Sequence, residues 1–146
     1  MRYAQRTKVS SEKSRAEIEH MLCRYGATRF AYGIDESRAL IGFQFKSKQI
    51  RFVLPLPNRA DKRFLYSHNG RRQRTEAEAY EAWAQACRQL WRALVLCIKS
   101  KLESVESGIE SFEVAFLPYV VLPDGKTVAD HVLPALEANQ LPQLTF

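Results

Sequence analysis

The stretch EAEAYEAWAQACRQLWRALVLCIKSKLESVES, residues 76–107, decides the fold. Its apolar residues recur at steps of three and four, which places their side chains on one side of an α-helix. These residues are Tyr80, Trp83, Ala84, Cys87, Leu90, Trp91, Leu94, Ile98 and Leu102. Thr75 and Glu78 form a capping box at the start, and Gly108 suits the position after the end. The stretch therefore predicts one long helix, on the order of 45 Å in length.

The residues before this helix predict a shorter helix and a small sheet. Ser10 or Ser11 can cap a helix that ends near Tyr25, with Gly26 as its stop. Three segments then alternate between apolar and polar residues and are separated by short polar turns, which is typical of an antiparallel meander. The predicted strands are Thr28–Ile34, Arg38–Lys46 and Gln49–Leu54.

The apolar positions of these elements should meet in one core beneath the long helix. In the first helix they are Ile18, Met21, Leu22 and Tyr25. In the strands they are Thr28, Phe30, Tyr32 and Ile34, then Ala39, Ile41, Phe43 and Phe45, and finally Ile50, Phe52 and Leu54. Arg51 is expected to point outward.

Beyond Gly108 the pattern predicts a short helix, a short strand and a final helix. The short helix is expected to contain Ile109, Phe112, Phe116 and Leu117. The strand covers residues 119–122, and Thr127 can cap the final helix. The apolar residues of that helix that are expected to face inward are Val128, Val132, Leu133 and Leu136.

The predicted fold class is α+β. A three-stranded antiparallel meander packs on an N-terminal helix and a long central helix, in the order α-β-β-β-α, and a helical C-terminal appendage follows. At 146 residues we expect a single domain. Residues 1–9 are expected to be a basic arm, residues 10–107 the core and residues 108–146 the appendage.

The composition narrows the class of protein. No run of 18 apolar residues predicts a membrane span, and the basic N-terminus has no apolar signal segment. Cys23, Cys87 and Cys97 form no CxxC or CxxH pair, so we expect reduced, core-type thiols, a cytoplasmic location and no metal site. No cofactor is predicted, because the chain has no glycine-rich phosphate loop.

Positive charge is concentrated in the segment before the long helix. Residues 55–75 contain six basic residues and one acidic residue, whereas residues 109–146 contain one basic and five acidic residues. Such asymmetry favours a polyanionic partner for the basic part. The segment contains proline early and Asn69-Gly70 later, a strong turn signal. We expect a small hairpin with residues 62–67 as one arm.

This basic segment is the candidate nucleic-acid-binding site. Arginine and lysine contact phosphates, and aromatic rings can stack on bases. The candidate residues are Arg59, Lys62, Arg63, Phe64, Tyr66, Arg71, Arg72 and Arg74. The start of the long helix should add free backbone N–H groups that favour phosphate. Lys46 and Arg51 would extend the site if they lie on an open face of the sheet.

Three resemblances bear on function. The order helix, three antiparallel strands, helix over residues 11–103 resembles the double-stranded RNA-binding domain in topology, with Arg71, Arg72 and Arg74 where that family has lysines. The same order plus a later strand resembles the core of restriction-endonuclease-like nucleases, in which two carboxylates hold a divalent metal beside a lysine. Here Gln44 stands where a carboxylate is needed, so an active nuclease is not favoured.

The third resemblance covers nearly the whole chain. It depends on MLCRYGAT at residues 21–28, IGF at 41–43, ACRQ and WRAL within 86–94, and VLPDGKTV at 121–128. In these stretches the chain resembles a family of small accessory proteins carried by bacteriophages and other mobile elements. The resemblance implies a role near replication, recombination or host interference, and it implies no catalytic residue.

The function predicted from these observations is a non-enzymatic nucleic-acid-binding accessory protein of a phage or mobile element. DNA and RNA are both left open as partners, and so is the oligomeric state. The first alternative is a protein-binding inhibitor that uses the basic segment to occupy an acidic or nucleic-acid-binding surface of a host defence or replication complex. The second alternative is a degenerate or active nuclease.

Overall fold

The computed structural model describes residues 7–138. The predicted basic arm and C-terminal appendage therefore lie partly outside the described residues. The helices are α1 (Ser11–Cys23), α2 (Lys62–Leu65), α3 (Glu76–Glu106), α4 (Phe112–Phe116) and α5 (Val128–Ala138), with a 3₁₀ turn at Leu117–Tyr119 after α4. The strands are β1 (Thr28–Ile34), β2 (Arg38–Phe45) and β3 (Lys48–Pro55). The protein is α+β, as the sequence predicts.

The three strands form one antiparallel sheet in the order β1-β2-β3. Alternation along β2 and β3 is strict, because every apolar residue predicted to face inward on these two strands is buried. The pairing of β1 with β2 shifts register between Thr28 and Ala31, and Arg29 there has a φ of 55°. This is a β-bulge, and it bends the start of the edge strand.

The bulge and the edge position leave β1 less buried than the pattern predicts. Phe30 is half-buried and stacks on Phe43, with ring centroids 5.7 Å apart. Tyr32 lies on the helical side, where its hydroxyl donates to Glu19 of α1 at 2.9 Å. Thr28 and Ile34 are exposed, so their predicted inward positions are wrong. Ile34 lines an open depression with Ser11 at the start of α1 and with Trp83 of α3.

The helix α3 crosses the sheet and carries six of its residues into the core. They are Cys87, Trp91, Leu94, Val95, Ile98 and Leu102. The Thr75 hydroxyl accepts the N–H of Glu78 at 3.2 Å, as the predicted cap requires. At the other end, Gly108 has a φ of 73°. Its N–H donates to the carbonyl of Val105, and the N–H of Ile109 donates to that of Ser104. This paired closure is the Schellman motif.

The helix α1 packs beside α3 through the predicted residues. Ile18 and Leu22 are completely buried. An ion pair of 2.7 Å joins Glu17 to Arg92 of α3, and the Tyr25 hydroxyl donates to Glu106. The thiol prediction is only partly correct, because Cys87 is buried while the other two free cysteines are exposed.

The C-terminal part departs most from the prediction. The helix α4 begins at Phe112, and Ile109 lies outside it and is exposed. Phe112 and Phe116 fill the end of the core, where Phe116 meets Phe43 and Phe52 edge-on. The predicted strand at residues 119–122 is reduced to single bridges, one of them between Ile50 and Val120.

The final helix has the predicted start but not the predicted packing. Thr127 accepts the N–H of Asp130, and its own N–H donates to the Asp130 carboxylate. No described residue of α5 is buried, so the expectation that Val132, Leu133 and Leu136 face inward is wrong. The reason is that Phe112 and Phe116 of α4 already cover this end of the core.

Candidate nucleic-acid interface

The basic segment is built from a short helix and a hairpin. Asp61 caps α2 and accepts the N–H of Arg63 at 2.9 Å. Residues 62–65 are therefore helical, and the predicted strand arm at 62–67 is wrong. The hairpin begins one residue later, with Tyr66 bridging Gln73.

The Asn69-Gly70 signal correctly marks the tip of this hairpin. The N–H of Gly70 donates to the carbonyl of Ser67 at 2.7 Å, and Gly70 has a φ of 72°. The Asn69 side chain accepts the N–H of Arg71 and the hydroxyl of Ser67. These local bonds hold the tip without help from the core, and they turn His68 outward.

Two of the eight candidate residues form the base of the segment and not its surface. The Phe64 ring is 4% exposed, which leaves no face on which a base could stack. The Arg74 guanidinium donates through Nη1 to the carbonyls of Arg63 and Phe64, at 3.1 and 3.2 Å. These two bonds of Arg74 close the end of α2.

Arg59 lies apart from the hairpin, over the first turns of α3. Its guanidinium carbon is 4.9 Å from the centre of the Tyr80 ring and 5.1 Å from that of Trp83. The indole N–H of Trp83 donates to the carbonyl of Pro57 at 2.8 Å. The Arg59 cation therefore stacks on two aromatic rings of α3, and this contact helps to position the start of the basic segment.

Arg72 and Arg63 pair with carboxylates of the chain itself. Arg72 binds both oxygens of Glu78, at 2.7 and 3.3 Å, and its hydrogen bond lowers the pKa of Glu78 below the ordinary value. The contact of Arg63 with Asp61 is looser, at 3.7 Å. Both pairs are largely exposed to solvent, where such pairs contribute little stability and exchange partners readily.

The predicted phosphate site at the start of α3 is already occupied. The hydroxyl of Thr75 takes the N–H of Glu78, and the Glu78 carboxylate lies between Thr75 and Arg72. Glu76 adds a further negative charge in the first turn. These carboxylates complement the helix dipole themselves, so the helix start adds little attraction for phosphate.

Three of the candidates, Lys62, Arg63 and Tyr66, meet at one cleft of about 430 Å³. It is lined by Lys62, Arg63, Tyr66, Ser67, His68 and Gly70. Tyr66 is 38% exposed. Within residues 7–138, neither Lys62 nor Arg71 forms an ion pair, and Arg71 follows directly after the rim of the cleft. We call the set Lys62, Arg63, Tyr66, His68 and Arg71 the cationic cleft.

His68 belongs to this set although it is not among the residues that the sequence predicts to bind. The signal was present, because a side chain one residue before Asn69-Gly70 must lie at the tip of the turn and face solvent. No sequence signal distinguished the buried Phe64 from the exposed Tyr66, since the segment has no regular period.

The proposed extensions of the site have other partners. Arg51 donates to the carbonyl of Gly125 at 3.0 Å, and Lys46 pairs with Glu113 at 3.1 Å. Gln44, at the position that a nuclease needs for a metal ligand, donates its amide to the carbonyl of Lys46. Across residues 7–138, no three His, Cys, Asp or Glu side chains form a group that could hold a metal ion.

No protein-family model, curated protein or solved structure matches this chain. Among residues 7–138 no helix combines the length and the apolar character needed to cross a membrane.

Proposed function

We propose that this protein is a non-enzymatic accessory protein of a phage or mobile element that binds nucleic acid through the cationic cleft. The observation that carries the proposal is the convergence of Lys62, Arg63 and Tyr66 on one open cleft. Arg71 follows directly after Gly70, which lines the cleft. Cations contact the phosphate backbone without regard to sequence, and an exposed ring beside them can stack on a base.

The geometry of the cleft suits a flexible strand better than the groove of a duplex. Its cations are held on a helical turn and a hairpin tip, and neither element is long enough to lie along a major groove. A single strand can place a phosphate against Lys62 and Arg63 and turn one base onto Tyr66, all of which line the cleft. We therefore expect single-stranded DNA or RNA to bind more tightly than duplex.

Arg63 and Arg72 can strengthen binding although each is paired with a carboxylate in the unbound protein. A phosphate that approaches Arg63 or Arg72 replaces an exposed carboxylate partner, and the exchange costs little because such pairs are weak. The number of phosphate contacts should therefore exceed the two that Lys62 and Arg71 supply. The slope of log affinity against log salt, about 0.7 per neutralised phosphate on single strands, measures this number.

Fluorescence anisotropy with labelled single-stranded and duplex oligonucleotides tests the proposal. The double variant Lys62→Ala, Arg71→Ala should weaken binding by about tenfold at roughly 50 mM salt and flatten the salt slope. Lys13→Ala, Lys99→Ala is the matched control, because it removes the same charge from exposed positions on α1 and α3. Equal losses in the two variants, or no binding to any oligonucleotide, would contradict the proposal.

A protein-binding inhibitor is the second candidate, and the mixture of charges beside the cleft favours it. Glu76, Glu78 and Glu81 follow the arginines on the first turns of α3. Adjacent charges of both signs fit a protein surface of complementary pattern better than a uniform polyanion. A pull-down from host lysate before and after nuclease treatment separates the candidates, since a host protein retained after digestion supports inhibition.

A further inference from the structure

The side of the sheet that faces away from the core contains a depression of about 240 Å³. It lies where Gly42 of β2 is paired with Ala31 of β1 on one side and with Arg51 of β3 on the other. Two arginines line this depression, and none of the residues that line it is acidic. The other polar residues that line it are Arg29, Gln44 and Gln49. We call this site the basic depression.

The floor of the basic depression is open because position 42 has no side chain. The φ of Gly42 lies outside the left-handed region, so the backbone does not require glycine there. A Cβ atom at this position would meet only the carbonyl oxygen of Ile50, at 3.8 Å, which is an ordinary contact. Glycine inside a strand weakens it and often marks a place where a ligand comes close to the backbone. Packing within the chain therefore does not explain this glycine, whereas a ligand in the depression does.

Arg29 joins this side of the sheet from the β-bulge at the start of β1. Its φ of 55° is left-handed, a conformation that glycine and asparagine adopt more readily than arginine. A bulge of this kind re-aims a side chain. Within residues 7–138, the Arg29 side chain forms neither a hydrogen bond nor an ion pair. The unfavourable backbone conformation thus brings a free cation to the depression.

Arg51 is fixed by one contact and has a second donor that is not used. Its Nη2 donates to the carbonyl of Gly125 at 3.0 Å. Its Nε–H is buried and forms no hydrogen bond with any described residue. A buried donor without an acceptor is unfavourable. A small rotation of the guanidinium would present this N–H to an oxygen atom in the depression.

The carboxylate of Asp130 compensates the charge of Arg51 only in part. It accepts the N–H of Thr127 at 2.9 Å, and among residues 7–138 it forms no ion pair with Arg51. The pKa of Asp130 is lowered chiefly by the N–H of Thr127 and to a smaller degree by Arg51. Arg51 therefore acts on Asp130 from a distance, and the charge of Asp130 should weaken anion binding in the depression without preventing it.

We propose that the basic depression binds a dianionic phosphate group between Arg29 and Arg51. Guanidinium N–H groups match the oxygen atoms of phosphate, and two arginines balance its two charges. A carboxylate has one charge and leaves one arginine unpaired. A small phosphomonoester and the terminal phosphate of a nucleic-acid strand present the same dianion. The site shares no residue with the cationic cleft and does not rest on the function proposed for it.

Titration of the full chain with inorganic phosphate, followed by nuclear magnetic resonance at constant ionic strength, tests the proposal. The backbone amides of Ala31 and Gly42 and the Nε–H of Arg51 should shift and saturate, whereas acetate should shift them much less. Gly42→Ala fills the depression and should weaken phosphate binding by about tenfold. The matched control is Gly33→Ala, which adds the same methyl group on the same side of the sheet outside the depression, in ordinary contact with Leu40.

Two charge variants separate binding from folding. Arg29→Gly should weaken phosphate binding by about tenfold while the melting temperature stays unchanged or rises, because glycine adopts the left-handed conformation freely. Asp130→Asn keeps an oxygen acceptor for Thr127 and removes the opposing charge, so it should strengthen phosphate binding. Signals that do not move with phosphate, equal shifts with acetate, or equal affinities of Gly42→Ala and Gly33→Ala would overturn the proposal.

The source of the phosphate group is distinguished with two further probes, adenosine monophosphate and a pair of oligonucleotides that end in a phosphate or in a hydroxyl group. A preference for the terminal phosphate that Arg29→Gly abolishes assigns the site to the end of a strand, and saturation by the mononucleotide alone assigns it to a small molecule. The variant Lys62→Ala, Arg71→Ala should leave the phosphate shifts unchanged. Loss of oligonucleotide binding in that variant, with the phosphate site intact, shows that the two sites are independent.

Discussion

The helices α3 and α5 have the same kind of amphipathic sequence and opposite surroundings. Both begin at a threonine that caps the helix, Thr75 and Thr127, and both carry apolar residues at steps of three and four. The helix α3 buries six residues in the core, whereas α5 buries none in a single copy. The comparison shows that a periodic pattern indicates which side of a helix is apolar and leaves open what covers it.

The largest expected difference between the helices is in the free energy of unfolding when one apolar residue of each is truncated. Trp91 of α3 is 2% exposed, and Trp91→Ala should lower the free energy of unfolding by about 3–5 kcal/mol because it removes buried surface and leaves a cavity. Leu133→Ala in α5 should change it by less than about 0.5 kcal/mol. Urea denaturation followed by circular dichroism measures both.

Both variants are compared with the parent chain at the same low protein concentration. A large loss for Leu133→Ala in dilute protein would mean that α5 belongs to the core of a single copy, and the contrast between the helices would fail.

The contrast between α3 and α5 also separates the parts of the fold that could be predicted from the sequence from those that could not. The long helix, the meander and the inward residues of β2 and β3 could be predicted, because period and buried side coincide there. Ile34 could not, since the bulge near Arg29 and the edge position decide its exposure. The apolar side of α5 was assigned to a core that Phe116 already fills.

The geometry of the basic segment could be predicted in part. The charge of the segment and the turn at Asn69-Gly70 could be predicted, because both are local properties of the sequence. The roles of Phe64 and Arg74 depend on which groups lie beneath the segment, and charge says nothing about that. An arginine that donates to backbone carbonyls and one that faces solvent are the same letter in the sequence.

A smaller difference in stability is expected between removal of the N-cap of α3 and removal of the N-cap of α5. Thr75→Ala removes an acceptor at the start of α3 and should cost about 1 kcal/mol of global stability, because α3 unfolds only with the core. Thr127→Ala removes the equivalent bond in α5 and should act locally, by fraying that helix. Hydrogen exchange distinguishes the outcomes: Thr75→Ala should speed exchange of core amides, and Thr127→Ala that of α5 alone. Faster core exchange in both variants would show that the helices unfold together.

The smallest expected effect is the pH dependence of the structure at the start of α5. The pKa of Asp124 is lowered below its ordinary value of 3.8 by the N–H of Lys126 and by His131, and that of Asp130 by the N–H of Thr127. A carboxyl group whose pKa is lower in the folded state stabilises that state above the ordinary value, and this contribution is lost as the pH falls through the lowered value. The start of α5 should therefore loosen below about pH 4.

Nuclear magnetic resonance shifts of the α5 amides between pH 6 and pH 2.5 measure this loosening. The pKa of Glu78 at the start of α3 is lowered in the same direction, chiefly by Arg72. Its protonation should shift only the first turn, since Trp91 and Ile98 hold the rest of that helix in the core. Asp124→Asn is the control, because it keeps an oxygen acceptor for Lys126 and removes the titration. If α5 in Asp124→Asn still loosens over the same pH range, Asp130 alone controls the transition.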